Sequence, residues 1–262
     1  MTRGSPGSGT GMAGVMEAGG WGFLAGFALL IGAAVGFFVR VRPKVLASVM
    51  AFGAGVLLSA VSFELVAEAH ERAGIVPVVV GSLAGAVLYT AGNVVLARRG
   101  ARHRKRSGGR QPSEEQQPGS GNAIALGALL DGVPESVVIG TSMLAGGAVS
   151  VVTVAAVFIS NVPEGLSSAA GMRRAGRGRG YVFGLWMAIA VASGIAAMLG
   201  YGLLGSAPDE VVAGITALAA GAILAMVADT MIPEAFEDAH LLIGLITVVG
   251  FLLAFALSSS GA

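Results

Sequence analysis

NAIALGALLDGVPESVVIGTSML (122–144) and VSVVTVAAVFISNVPEGLSSAAG (149–171) are two apolar runs, each of a length to cross a bilayer as a helix and each carrying a proline followed by a glutamate. A hydrocarbon core of ~30 Å needs about 20 largely apolar helical residues per crossing. An ionisable side chain at the centre of such a run costs about 2.5–3.5 kcal/mol on insertion scales, so its presence points to function. Asp131 and Glu135 stand four residues apart, as do Ser160 and Glu164, so each pair shares one helical face. Asn161 lies three residues before Glu164, on the same side. Two such helices side by side present oxygens to one ion, as in bundles that build metal sites from facing helices. Neither Pro134 nor Pro163 can donate to the carbonyl four residues back, so each helix is expected to kink and free a backbone oxygen. Freed oxygens at mid-membrane depth are tolerated where they line a cavity or a site.

The rest of the chain carries the same signal. Of its 262 residues 55% are hydrophobic and 12% charged, with a mean hydropathy of +0.81; a typical soluble domain is about 25% charged. Spans are predicted at 21–39, 45–67, 75–97, 122–144, 149–171, 181–205, 210–233 and 241–258. Runs this long and apolar suit helices, not barrel strands, and the 42 glycines let helix backbones approach closely. The fold class is therefore an all-α membrane protein with eight transmembrane helices. Residues 1–20 read as a disordered tail, 21–97 as the first three spans, 98–121 as a flexible basic cytoplasmic loop, and 122–258 as the last five spans.

Orientation follows from the basic residues. Arg40, Arg42 and Lys44 lie between spans one and two; seven more lie between three and four; Arg173, Arg174, Arg177 and Arg179 lie between five and six. These loops hold fourteen of the sixteen lysines and arginines, all on one side of an eight-span chain. By the positive-inside rule that side is the cytoplasm, with both termini outside a cytoplasmic membrane. The loop RRGARHRKRSGGRQPSEEQQPGSG (98–121) reads as a solvated linker, with metal sensing or lipid contact through His103 and the arginines as its functional alternative.

Five acids fall inside spans: Glu64, Asp131, Glu135, Glu164 and Asp229. Clustered in low dielectric they would repel one another, and the spans offer no lysine or arginine to pair with them, so a bound metal or transported protons are expected to compensate the charge. Pro233 repeats the proline device by freeing the carbonyl of Asp229. With no cysteine present, thiolate sites are excluded, and any metal must be held by oxygen or by His70, His103 or His240. Glu64, and Glu68 near the outer end, could equally be protonated groups bonded across a helix interface. Glu234, Glu237, Asp238 and His240 read as a solvated turn at the inner boundary, with an exit site for the ion as the alternative, and His70 as a solvated outer histidine, with metal gathering at the entrance as its alternative.

The proline-glutamate motifs of spans four and five, the eight spans and the variable loop after span three resemble the ZIP family of divalent metal transporters over residues 21–258. The family's span-four motif His-Asn-x-Pro-Glu-Gly maps its histidine to Asp131, its asparagine to Gly132 and its glutamate to Glu135. In span five the two first ligand positions fall on Ser160 and Asn161 and the glutamate on Glu164. Asp229 matches an acidic position common in the family, and Glu64 lies near an entrance-side ligand. The resemblance implies a 3+2+3 bundle with inverted pseudo-symmetry, often a homodimer. Its cargo would be a divalent ion (Zn, Mn or Fe), the substrate of the protein, carried into the cytoplasm with no organic cofactor and no nucleic-acid partner. The family's histidines are missing, and the span-six acid that supports a second metal is Ala197, which argues for one ion. Carboxylate and hydroxyl in place of imidazole shift the expected preference toward Mn(II) or Fe(II). A ZIP-type membrane protein acting as metal sensor or assembly partner is the alternative. An intramembrane enzyme is not expected, since neither H-E-x-x-H nor G-x-S-x-G occurs.

Overall fold

In a computed structural model, which describes residues 11–105, 110–146, 148–238 and 241–259, the chain is helical with no strand among the described residues. Seven helices are long and apolar enough to cross a membrane: α1 Met12–Phe38, α2 Pro43–Ala73, α3 Ile75–Ala101, α4 Ser120–Leu144, α5 Val151–Arg174, α6 Arg179–Leu204 and α7 Asp209–Phe236. An eighth apolar helix, α8 Ile243–Ser259, is shorter at 17 residues. This is a multi-pass membrane protein. Helix α1 begins at Met12, so residues 12–20, expected in the tail, are helical instead. The outward faces are apolar, as lipid requires; on α3 Val80, Leu83 and Val87 are each more than 60% exposed.

The helices pair through glycine. Helix α1 packs on α5 and α6, α4 on α6, α3 on α7, and α2 on α8, and α5 also touches α2. In each of four pairings both partners contribute glycines at the closest approach. A methyl group on Gly32 would strike the carbonyl of Val162, and one on Gly165 that of Leu29. The same reciprocity joins Gly140 to Ala197 and Gly200 to Val137, Gly85 to Leu218 and Gly221 to Ser82, and Gly55 to Thr247 and Gly250 to Phe52. Lipid tails give apolar helices no hydrophobic reason to associate, so close backbone contact at small residues supplies the attraction. Overpacking such a contact costs about 1–3 kcal/mol. Gly165→Ala is therefore expected to lower the melting midpoint of the detergent-solubilised protein, and an unchanged midpoint would show that α1 and α5 pack loosely.

Pro134 and Pro163 sit inside α4 and α5 without ending either helix. Three other helices depart from α-geometry, α3 doing so in its last turn, Ala97–Ala101. Val61–Val66 in α2 and Val227–Met231 in α7 are wound as wider π-turns, and these hold Glu64 and Asp229. Such bulges recur at functional positions because they reset the face on which later side chains emerge.

Candidate cation site between α4 and α5

The centre of the molecule is a buried cluster of charge. Asp131 and Glu135, one turn apart on α4, are 2% and 1% exposed, and Glu164 on α5 is 4% exposed. Glu135 has Glu164, Lys105 and Asp131 as its charged neighbours. Its Oε1 is fully buried and has no hydrogen-bond partner.

The expectation that no lysine or arginine would pair with these acids is corrected here. Arg104 and Lys105, from the loop after α3, are 3% and 2% exposed and lie inside the cluster. Arg104 grips Asp131 with two donors, Nε to Oδ2 at 2.9 Å and Nη2 to Oδ1 at 2.8 Å. Two parallel bonds from a planar guanidinium to a carboxylate are the strongest geometry such a pair can adopt. Tyr89 Oη also donates to Asp131 Oδ1 at 2.7 Å, and Arg104 Nη1 donates to Asn93 Oδ1 at 2.7 Å. Lys105 Nζ donates to Glu164 Oε2 at 2.9 Å and lies 3.3 Å from Asp131 Oδ2. Burial alone would lower the pKa of this amine, but Asp131 and Glu164 outweigh it and hold the ammonium above the ordinary lysine range.

The loop reaches this depth because of how it is turned and tied. Gly100 has φ +102°, a conformation open to glycine, and there the chain leaves α3. Gln111, 3% exposed, donates to the carbonyl of Arg104 at 2.8 Å and to that of Ser168 at 3.2 Å. The Ser167 hydroxyl contacts both the carbonyl of Lys105 and, at 2.6 Å, Glu234 Oε1. Further along, Glu114 accepts from the backbone N–H groups of Gly119 and Gly121 at the start of α4 and from Arg177. Those bonds hold the Glu114 carboxyl below its ordinary pKa, as expected for an acid capping a helix N-terminus. The loop expected to be a solvated linker is packed into the protein at Arg104, Lys105 and Gln111.

The remaining sequence-predicted residues fall elsewhere. The Ser160 hydroxyl donates to the Val157 carbonyl at 2.9 Å, within its own helix, and Asn161 donates to the Ala25 carbonyl of α1 at 2.9 Å. Glu64 is half-buried and accepts from Ser150 at 3.2 Å and from Ser258 on α8. Asp229 is exposed on α7, and His70 is exposed beyond α2. Glu234, expected in a solvated turn, is buried. The side chains of Glu237 and Asp238, and all of His240, lie outside the described residues. Among the described residues no three His, Asp or Glu side chains converge closely enough to hold a metal ion as they stand; Asp131 and Glu164 close instead on Arg104 and Lys105.

Sequence reasoning missed Tyr89, Asn93, Arg104, Lys105, Gln111 and Ser167. Tyr89 and Asn93 did leave a signal, being polar residues four apart, on one face of a largely apolar span. Arg104 and Lys105 left none, since five other basic residues surround them in the same loop. No family model matches the chain, and no curated protein is significantly similar to it.

Proposed function

We propose that this protein carries divalent metal cations across the cytoplasmic membrane into the cell, through the carboxylates that α4 and α5 bury between them. The observation that carries this reading is Glu135. A carboxyl oxygen buried among other acids with no donor is a costly arrangement for a fold to keep, and a transient cation is the partner that makes it useful. The helix pairings support an inverted 3+2+3 plan: exchanging α1 with α6, α2 with α7, α3 with α8 and α4 with α5 maps the α1–α5 pair onto α6–α4, and the α3–α7 pair onto α8–α2. The π-turns of α2 and α7 exchange under the same operation and each carries one acid, while the third, at the end of α3, has no counterpart among the described residues of α8. Sites at the interface of inverted repeats near mid-membrane are the usual arrangement of secondary transporters. By the positive-inside rule the basic loops favour termini outside, and a homodimer is compatible with the apolar outer faces.

With hard oxygen donors, Mn(II) and Fe(II) should be preferred over Zn(II). Uptake by cells expressing the protein, measured for each ion alone and in competition, is expected to rank Mn and Fe above Zn. Zinc preference would refute the ligand argument, and uptake of none of the three would refute transport. The alternative, a metal sensor or assembly partner of the same architecture, is favoured by one feature: the cluster is closed by the protein's own cations. Such a protein would bind metal in a purified preparation yet give no uptake.

A further inference from the structure

The acid cluster already holds two cations supplied by the chain, and they are held differently. Arg104 is built in. Its guanidinium takes both oxygens of Asp131, reaches Tyr89 Oη at 2.9 Å and Asn93 at 2.7 Å, and its stem crosses α4 at Gly127, where an added methyl would stand 2.5 Å from the Arg104 Cδ. The Lys105 ammonium is held by carboxylates: it donates to Glu164 at 2.9 Å and lies 3.3 Å from Asp131, with no neutral acceptor among the described residues. Its ammonium stands where the carboxylates of α4 and α5 face one another.

We propose that Lys105 is a tethered competitor for the transported ion, so that a metal enters between Glu135 and Glu164 only when the Lys105 side chain withdraws, while Arg104 stays on Asp131 as the anchor. The inference rests on the transport reading. An ammonium and a divalent ion cannot share Glu164 Oε2 in a low-dielectric interior, because their mutual repulsion is scarcely screened there. Exchange also suits the local charge, since two cations now face three carboxyl groups, whereas a divalent ion in place of Lys105 would bring three positive charges to the same three. The carbonyls of Arg104 and Lys105 are tied to the body by the Gln111 amide and the Ser167 hydroxyl, so withdrawal of the Lys105 side chain is a local opening, which requires far less than global unfolding. A transporter built this way fills its own site between cycles, and the loop that fills it lies on the basic side of the membrane.

The chain offers a clean probe, because its only lysines are Lys44 and Lys105, and Lys44 is exposed. The full-length protein in lipid nanodiscs is treated with an amine-reactive reagent and labelling at each lysine is followed by mass spectrometry, with and without saturating Mn(II) or Zn(II). Without metal, Lys105 is expected to label about tenfold or more slowly than Lys44; metal should raise the Lys105 rate several-fold and leave Lys44 unchanged. In parallel, Lys105→Gln is expected to bind Mn(II) about tenfold or more tightly than the wild type by calorimetry, because the fraction of sites blocked by the side chain is removed. Metal binding with Lys105 still protected, or equal affinity in the variant, would overturn the competitor role and leave the metal site standing. Absence of Mn(II) and Zn(II) binding in both chains would overturn the transport reading itself. If Lys105→Gln fails to fold, the labelling of the wild-type chain alone decides.

Discussion

Replacing Asp131 with alanine should destabilise the protein by about 3–5 kcal/mol, because it strips a buried guanidinium of its carboxylate. Arg104 would keep Tyr89 and Asn93 as neutral partners, but its positive charge, 3% exposed, would have lost the anion it grips. The informative comparison is the double replacement Arg104→Met with Asp131→Leu. Removing both members of a buried ion pair in favour of apolar side chains of similar volume is commonly neutral or stabilising, so the double variant should recover most of the loss. Thermal unfolding in detergent, together with monodisperse yield on size exclusion, measures both. A single variant as stable as the wild type would mean that Arg104 leaves the interior readily, contrary to its role as anchor.

Glu135→Met should separate stability from activity in opposite directions. The orphaned Oε1 carries a desolvation penalty of about 1–3 kcal/mol, and methionine fills nearly the same volume with no polar atom to satisfy. The variant is therefore expected to melt higher than the wild type while losing metal uptake to background. Folded, membrane-inserted and inactive protein is the signature of a residue kept for function at the expense of stability. Retained uptake would remove Glu135 from the transport path, and with it the observation on which the functional reading rests. A sensor or assembly partner would also gain stability, but the wild type would then show no uptake to lose.

The acidic core was largely legible beforehand, for a physical reason. A carboxylate in the middle of an apolar run is so costly that it must be turned inward, and four-residue spacing fixes which acids share a face. Asp131, Glu135 and Glu164 obey those rules and meet in one buried cluster. Glu64 and Asp229 obey the first rule less well. Each sits in a π-turn, which adds a residue to the winding and so rotates the later part of the helix by about 100°; Glu64 ends at a half-buried position beside Ser150 and Ser258, and Asp229 ends exposed. Nothing in the order of residues announces such a turn. Ser160 and Asn161 were placed on the correct helix but donate to backbone carbonyls, Ser160 to its own helix and Asn161 to α1, choices that spacing does not resolve.

By itself the sequence determined that the chain is helical, that it crosses a membrane many times, and which acids must avoid lipid, because hydropathy and helical period act over neighbouring residues. Only the tertiary structure decided what neutralises those acids. Arg104 meets an aspartate 27 positions away and Lys105 a glutamate 59 positions away, and the choice of these two from a run of basic residues depends on where Gly100 turns the chain and on the groove Gly127 leaves in α4. Charge pairing in a low-dielectric interior is settled by ångström distances between elements remote in sequence, and no local pattern encodes them.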